Sequence, residues 1–315
     1  MNFIDIYNNV DELPKQIKLE ACSICQLDCT VCYMRKAYKE DSQHKLKNSG
    51  YLKFENFRKV VDGFQFYRIE LSNSGEIFLN PELDEIIKYG YEKNIELNAS
   101  NGTNLNYLPD KTAENLVKYK FNFLELSIDG ASQETYSIYR RNGDFNKVID
   151  NIKKINRFKE KYNSEYPKIL YKFIVFGHNE HEILKAKQLA KDLNVDIRFD
   201  INYDPNYSPI IDKEMVLKNT GWPTTDMYEL LKIRNYINCK DIFNFPQFDY
   251  DGELLGCCCN QFVGLGGNLF RDGYLNAMNH QKVVNLRKFL LGFPIEEDFD
   301  YHCFHCDMLQ LFTPY

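Results

Sequence analysis

Residues 16–33, QIKLEACSICQLDCTVCY, carry an apolar, strand-like run straight into three cysteines. These are Cys25, Cys29 and Cys32, spaced C-x3-C-x2-C, with the aromatic Tyr33 directly after them. Three thiolates on one short loop can ligate three corners of a cubane 4Fe-4S cluster, leaving the fourth iron open to another ligand. Two other readings compete for the same residues. A zinc site wants four closed ligands, often as paired C-x2-C motifs; Cys22 adds one such pair with Cys25, but no histidine follows at zinc-finger spacing. A redox dithiol needs two cysteines and leaves the others unexplained.

Outward from this loop, short apolar runs alternate with amphipathic stretches. The runs are QIKLEA, RIELSNSG, NIELNAS, NFLELSID, KILYKFIVF and VDIRFDIN. Between them lie helical patterns such as PELDEIIKYGYEK, KTAENLVKYK, NKVIDNIKKINRFKEK and HEILKAKQLAKDL. Repeated strand–helix units predict a parallel sheet with helices outside it. The expected fold is therefore α/β, a partial (β/α)6 TIM-like barrel over residues 1–202. In such barrels the chemistry gathers on loops at the C-terminal strand ends. Residues 203–238 read as a polar connector with an amphipathic stretch near Met227–Tyr236. Residues 239–315, rich in Cys and Gly with a hairpin expected at Asp251-Gly252, read as a small α+β domain.

With 315 residues, 44% of them hydrophobic, the chain can bury a large core. A net charge of −6 gives no basic field for phosphate contacts, so a nucleic-acid partner is not expected. No run of about 18 apolar residues occurs, and the N-terminal stretch lacks a signal-peptide pattern, so no membrane partner and a cytoplasmic location are expected. All ten cysteines lie in residues 22–32 or 239–306, a clustering that reads as metal binding in a reducing compartment.

The cysteine loop, with Tyr33 beside its last thiol, resembles the signature of the radical S-adenosylmethionine (SAM) superfamily. The resemblance implies that Cys25, Cys29 and Cys32 hold a 4Fe-4S cluster whose open iron is chelated by SAM, and that reductive cleavage yields a 5′-deoxyadenosyl radical. Ser74-Gly75-Glu76 is similar to the G-G-E-P segment that meets the SAM amino group, with Ile77 where that family has proline. Asn98, Ser100 and Asn101, ahead of Gly102, resemble the segment near the ribose, with Ser100 and Asn101 the expected contacts; by residue type alone this is also an ordinary Asn-Gly turn. Ser127-Ile128-Asp129-Gly130 followed by Arg140 and Arg141 resembles the S-I-D-G…R-R pattern of members with a C-terminal SPASM or twitch extension. Ser127 and Arg140 are then expected at the SAM carboxylate, with Arg141 the nearest rival. Val175 and Phe176, ending the fifth strand, are expected over the adenine, with core packing the alternative.

The second cysteine group fits the same resemblance. Cys239, Gly252 and Cys257 match the opening of the SPASM/twitch pattern, and Cys303-x2-Cys306 supplies a closing pair. Too few cysteines follow Cys257 for a full SPASM domain, so the shorter twitch form is expected. One auxiliary 4Fe-4S cluster would be held by Cys239, Cys257, Cys303 and Cys306; a structural zinc ribbon is the alternative. Cys258 and Cys259 are candidate hydrogen-atom donors to a substrate radical, or else packing residues like Cys22. Glu125, Asp129, Asp200, Asn202 and Tyr203 are further candidates for the substrate cavity.

What the resemblance implies is hydrogen abstraction from a small polar substrate (a polyol or aminosugar) or a short peptide, ending in oxidation or epimerisation, with a flavodoxin- or ferredoxin-type reductant. Only fifteen residues precede Gln16, which tilts the expectation away from members with an added leader-recognition domain. A ribosomal-peptide maturase, forming epimers or cross-links, is the alternative within the class. A non-catalytic iron–sulfur electron carrier or zinc-stabilised binding protein is the alternative outside it.

Overall fold

The computed structural model describes residues 13–32, 49–233, 240–257, 260 and 263–294. Tyr33, Cys239, Cys258, Cys259, Cys303 and Cys306 lie outside the described residues. Strands β1 (Gln16–Leu19), β2 (Arg68–Glu70), β3 (Glu96–Thr103), β4 (Phe123–Ser127), β5 (Lys168–Val175) and β6 (Asp196–Ile201) fall on the six apolar runs. Helices α1 (Phe54–Gly63), α2 (Leu83–Glu92), α3 (Asp110–Lys118), α4 (Gln133–Tyr139), α5 (Phe145–Tyr162) and α6 (Ile183–Asp192) lie between them. All strand pairs are parallel, in the order β6-β5-β4-β3-β2-β1.

The local reasons are those of the sequence pattern. Helix α5 presents Val148, Ile149, Ile152 and Ile155 at helical spacing to the core. Its N-cap, Asp144, accepts from the Lys147 N–H at 3.2 Å, and it ends on Asn163 in the left-handed region (φ 47°). Strand residues are buried on both faces: Ile17, Leu19, Ile69 and Leu124, all at 0% exposure, share one face, and the polar Lys18, Glu70, Asn98 and Glu125 are buried on the other.

A seventh strand, β7 (Gln247–Phe248), comes from the C-terminal segment and pairs parallel with β1, Lys18 opposite Gln247 and Leu19 opposite Phe248. Lys18 Nζ also reaches Asp241 at 2.6 Å across this edge. The sheet thus stays open, and the segment after the connector adds to it directly. The expected hairpin follows: Gly252 (φ +88°) turns the chain, Phe248 bridges Leu254, and Leu255 N–H donates to Gln247 O at 2.8 Å. Helix α7 (Leu269–Met278) packs on α1, with Tyr274 among the rings of Phe64, Phe66 and Phe248. Among the described residues no helix is long and apolar enough to cross a membrane.

Because Leu124 sits in the middle of the sheet at 0% exposure, Leu124→Ala is expected to cost about 2–5 kcal/mol. Urea unfolding checks it; an unchanged midpoint would contradict this packing.

Candidate active site

One cavity of about 720 Å³ opens at the C-terminal ends of the strands, where barrel chemistry gathers; it is lined by Cys25, Cys29 and Cys32 together with Gly75, Glu76, Ser127 and Arg140. The sequence segments that resemble one family's motifs are separated by more than a hundred residues, and the fold brings them to one place.

The cysteine loop has no regular secondary structure, so its backbone polar groups need partners from elsewhere. On one side the β2 loop supplies them: Gly75 N–H donates to Cys22 O (3.1 Å) and Glu76 N–H to Ile24 O (2.8 Å). The approach is so close that a Cβ on Gly75 would collide with the Cys22 carbonyl oxygen and with the backbone of Ser23 and Ile24. On the other side Asp28 N–H donates to Arg141 O (3.0 Å) and Thr30 N–H to Tyr139 O (3.1 Å), at the end of α4. Leu27 and Cys29 pack with Tyr139, Ile174 and Phe176 beneath the loop.

The electrostatics divide the cavity. Glu76 is fully buried; its carboxylate accepts from Asn104 N–H at 2.6 Å and Phe78 N–H at 3.4 Å. Burial nevertheless pushes its pKa up to about 7, against those hydrogen bonds. Arg140 is held by Asp129, donating from Nε at 2.7 Å and from a second nitrogen, while Nη1 reaches Cys29 Sγ at 3.6 Å. Burial alone would lower its pKa; the Asp129 carboxylate overrides this and keeps the guanidinium charged. Asp129 is at 0% exposure, in the left-handed region (φ 56°), and its other oxygen accepts from Ile174 N–H at 2.7 Å. Burial pushes the Cys25 thiol up to about 12, with the Glu76 charge adding to it. Burial raises Cys29 too, opposed by Arg140. Such thiols ionise when a metal coordinates them.

The donor set bears on which metal fits. Cys25, Cys29 and Cys32 line one cavity whose described lining holds no histidine. A structural zinc wants four closed ligands, whereas three thiolates suit a 4Fe-4S cluster with one iron left open.

Of the other residues singled out in the sequence, Ser74, Asn101, Asn202 and Tyr203 line the cavity. Ser100 does not: its hydroxyl bonds Glu70, and its N–H donates to the same carboxylate at 2.9 Å. Asn98 is buried against Asn122. Gly102 (φ +107°) must be glycine because Ser127 Oγ occupies the place a Cβ would take. Val175 lies in the main core, and Ile174, one residue earlier, takes the cavity face, since neighbouring strand residues point to opposite sides. Arg141 is exposed and touches the loop through its carbonyl. Glu125 is committed to Lys172 (2.9 Å) and Arg198 (3.0 Å), and Asp200 to Arg198 (2.8 Å). Cys22 is buried and stands off the cavity, its thiol donating to Ile24 O at 3.6 Å. Asn104 was not visible as a site residue, yet it joins Glu76, Gln26 (3.0 Å) and Cys25 Sγ (3.6 Å); its position two residues past Gly102 was the available signal.

Residues 19–190 match the Radical SAM superfamily. The chain belongs to that superfamily. Among solved structures it resembles SuiB of Streptococcus suis bound to S-adenosylmethionine, with a TM-score of 0.64, 14% identity and coverage of 95% of this chain and 72% of that one. It also resembles SuiB bound to precursor peptide SuiA, with a TM-score of 0.65, 14% identity and coverage of 98% and 73%. At that identity the likeness establishes a shared fold. No curated protein matches the sequence.

Asp129→Ala would leave the largely buried Arg140 without its partner, so a loss of up to about 3–5 kcal/mol is expected. Gly75→Ala is expected to lower iron retained after anaerobic reconstitution, because the β2 loop can no longer close on the cysteine loop. Denaturant titration and iron analysis check the two; wild-type values in both would contradict the described clamp.

Proposed function

We propose that the chain is an iron–sulfur enzyme that cleaves SAM reductively and abstracts hydrogen from a carbon of a small polar substrate or short peptide. The observation that carries this reading is the single cavity shared by three thiols, a buried carboxylate and a largely buried guanidinium. Cys25, Cys29 and Cys32 would hold three irons of a 4Fe-4S cluster. When bound, that cluster supplies an electron that breaks the SAM C5′–S bond, giving methionine and a 5′-deoxyadenosyl radical.

The chain's own groups then orient and enclose. Glu76 accepts from the SAM ammonium, and its pKa near 7 means that the positive partner also stabilises its ionised form. Ser127 and Arg140 meet the SAM carboxylate; Asp129 acts by positioning Arg140. Asn101, at the cavity wall, suits the ribose better than Ser100, whose hydroxyl is already used. Ile174, with Phe176 beneath, offers an apolar surface at the fifth strand. Lys172, Asn202 and Asp204 add polar groups to the cavity lining, which supports a substrate with hydroxyl, amino or peptide groups.

The fate of the substrate radical divides the reaction types. An auxiliary 4Fe-4S cluster on Cys239, Cys257, Cys303 and Cys306 would accept an electron and give an oxidised product. Cys257 is the one of these within the described residues, three residues past Leu254 of the hairpin that leaves β7. If Cys258 or Cys259 instead returns a hydrogen atom, the product is epimerised. That SuiB carries a precursor peptide on the same fold supports keeping ribosomal-peptide maturation, as epimer or cross-link, beside the small-molecule reading. A flavodoxin- or ferredoxin-type protein is the proposed reductant, in a cytoplasmic setting.

Anaerobic reconstitution with SAM and dithionite tests this directly. The expected outcome is about eight irons per chain and formation of 5′-deoxyadenosine, lost in Cys29→Ala. One or two zincs with no cleavage would overturn the proposal in favour of a zinc-stabilised binding protein, and iron with no cleavage would favour an electron carrier. With a substrate in hand, deuterium oxide should label one carbon if the product is an epimer.

A further inference from the structure

Away from the cavity, the turn after β7 gathers negative charge in an ordered frame. Asp249 N–H donates to Glu253 O (3.1 Å), Gly252 N–H to Asp249 O (3.1 Å), and Glu253 N–H to Asp249 Oδ1 (2.7 Å). Alternate residues therefore share one side of the turn, and the carboxylate oxygens of Asp249, Asp251 and Glu253 all lie within 4.8 Å of one another. Like charges this close repel. A hard divalent ion with oxygen bonds of about 2.3–2.6 Å spans such a set and reverses the sign of the interaction.

An independent group points the same way from the barrel. Glu20, directly after β1, is 3% exposed, and its Oε1 has no hydrogen-bond partner among the described residues. Its own N–H donates to Phe248 O at 3.0 Å, which sets it beside Asp249. The peptide N–H groups of Tyr250, between Asp249 and Asp251, and of Ser74 point at its carboxylate, and the Asp251 charge reaches it. A buried carboxylate with an unsatisfied oxygen is costly, and here the charges of Asp249 and Asp251 lie within its reach. Arg271, whose charge reaches Glu253, is exposed and pairs with Asp272 at 2.7 Å.

We propose that Asp249, Asp251 and Glu253, backed by Glu20, form a binding site for a hard divalent cation of the calcium class. An all-carboxylate set without thiol or imidazole selects against zinc and copper, and the site is separate from the cysteine loop. The ion would tie the end of β1, which runs into Cys22 and Cys25, to the hairpin that runs on to Cys257. Its role would be to brace the two cysteine-bearing segments against each other.

The test uses the full chain, purified anaerobically with its iron and freed of divalent ions by a chelator. Calorimetric titration with calcium chloride is expected to show one ion per chain with a Kd in the micromolar to millimolar range, about that of other carboxylate loops. A thermal midpoint raised by several degrees should accompany it, and magnesium should bind more weakly. Asp251→Asn should abolish both responses, while its ion-free midpoint equals or exceeds that of the wild type because repulsion is relieved. Glu20→Gln should weaken binding about tenfold, equivalent to about 1.4 kcal/mol. No calcium uptake by the wild type, or an undiminished response in Asp251→Asn, would overturn the proposal. Should that variant fail to fold, wild-type stoichiometry and the Glu20→Gln titration decide it.

Discussion

The structure depends on how an irregular loop of cysteines is held still. Its carbonyls at Cys22 and Ile24 take N–H groups from Gly75 and Glu76, and its N–H groups at Asp28 and Thr30 find carbonyls at the end of α4. A loop fixed in this way cannot move without dragging the β2 and β4 loops with it. Because the same residues that clamp the loop also line the cavity, fastening the thiols and shaping the ligand site are one event. This explains why Gly75 tolerates no side chain: the space is taken by the backbone it stabilises.

The charges around the loop follow from the same packing. Burial works against ionising Glu76, Cys25 and Cys29, so the protein without ligands holds these groups in a state that a cation or metal would relieve. Arg140 is the exception, kept charged by a buried partner that also receives the Ile174 N–H. Glu76 on one side and Arg140 on the other give the cavity a negative and a positive wall. A zwitterionic amino-acid group bridging the two is the ligand this arrangement suits, in keeping with the proposed placement of SAM.

Most of the barrel was legible because its signals are periodic: six apolar runs and the amphipathic stretches between them map onto β1–β6 and their helices. Strand β7 was not, since two residues carry no period and are recruited by the free edge of β1. At the site, the meeting of Cys25, Cys29, Cys32, Glu76, Ser127 and Arg140 at one cavity was legible by spacing and resemblance. The finer assignments turned on facts that a linear pattern does not hold. Val175 and Ile174 differ only in strand parity. Ser100 is claimed by Glu70 from a neighbouring strand. Asp129, read as a substrate candidate, is consumed by Arg140 across eleven residues, and Asn104 gains its role only when β3 lies beside the cysteine loop.

The central claim is that the metal position left open by Cys25, Cys29 and Cys32 is filled by the amino-acid end of SAM, between Glu76 and Arg140. Electron–nuclear double resonance on the reduced, reconstituted protein with SAM labelled with nitrogen-15 at its amino group tests it most directly. The account predicts a nitrogen coupling from a cluster ligand that disappears in Cys29→Ala. A cubane signal unaltered by SAM and free of that coupling would contradict it.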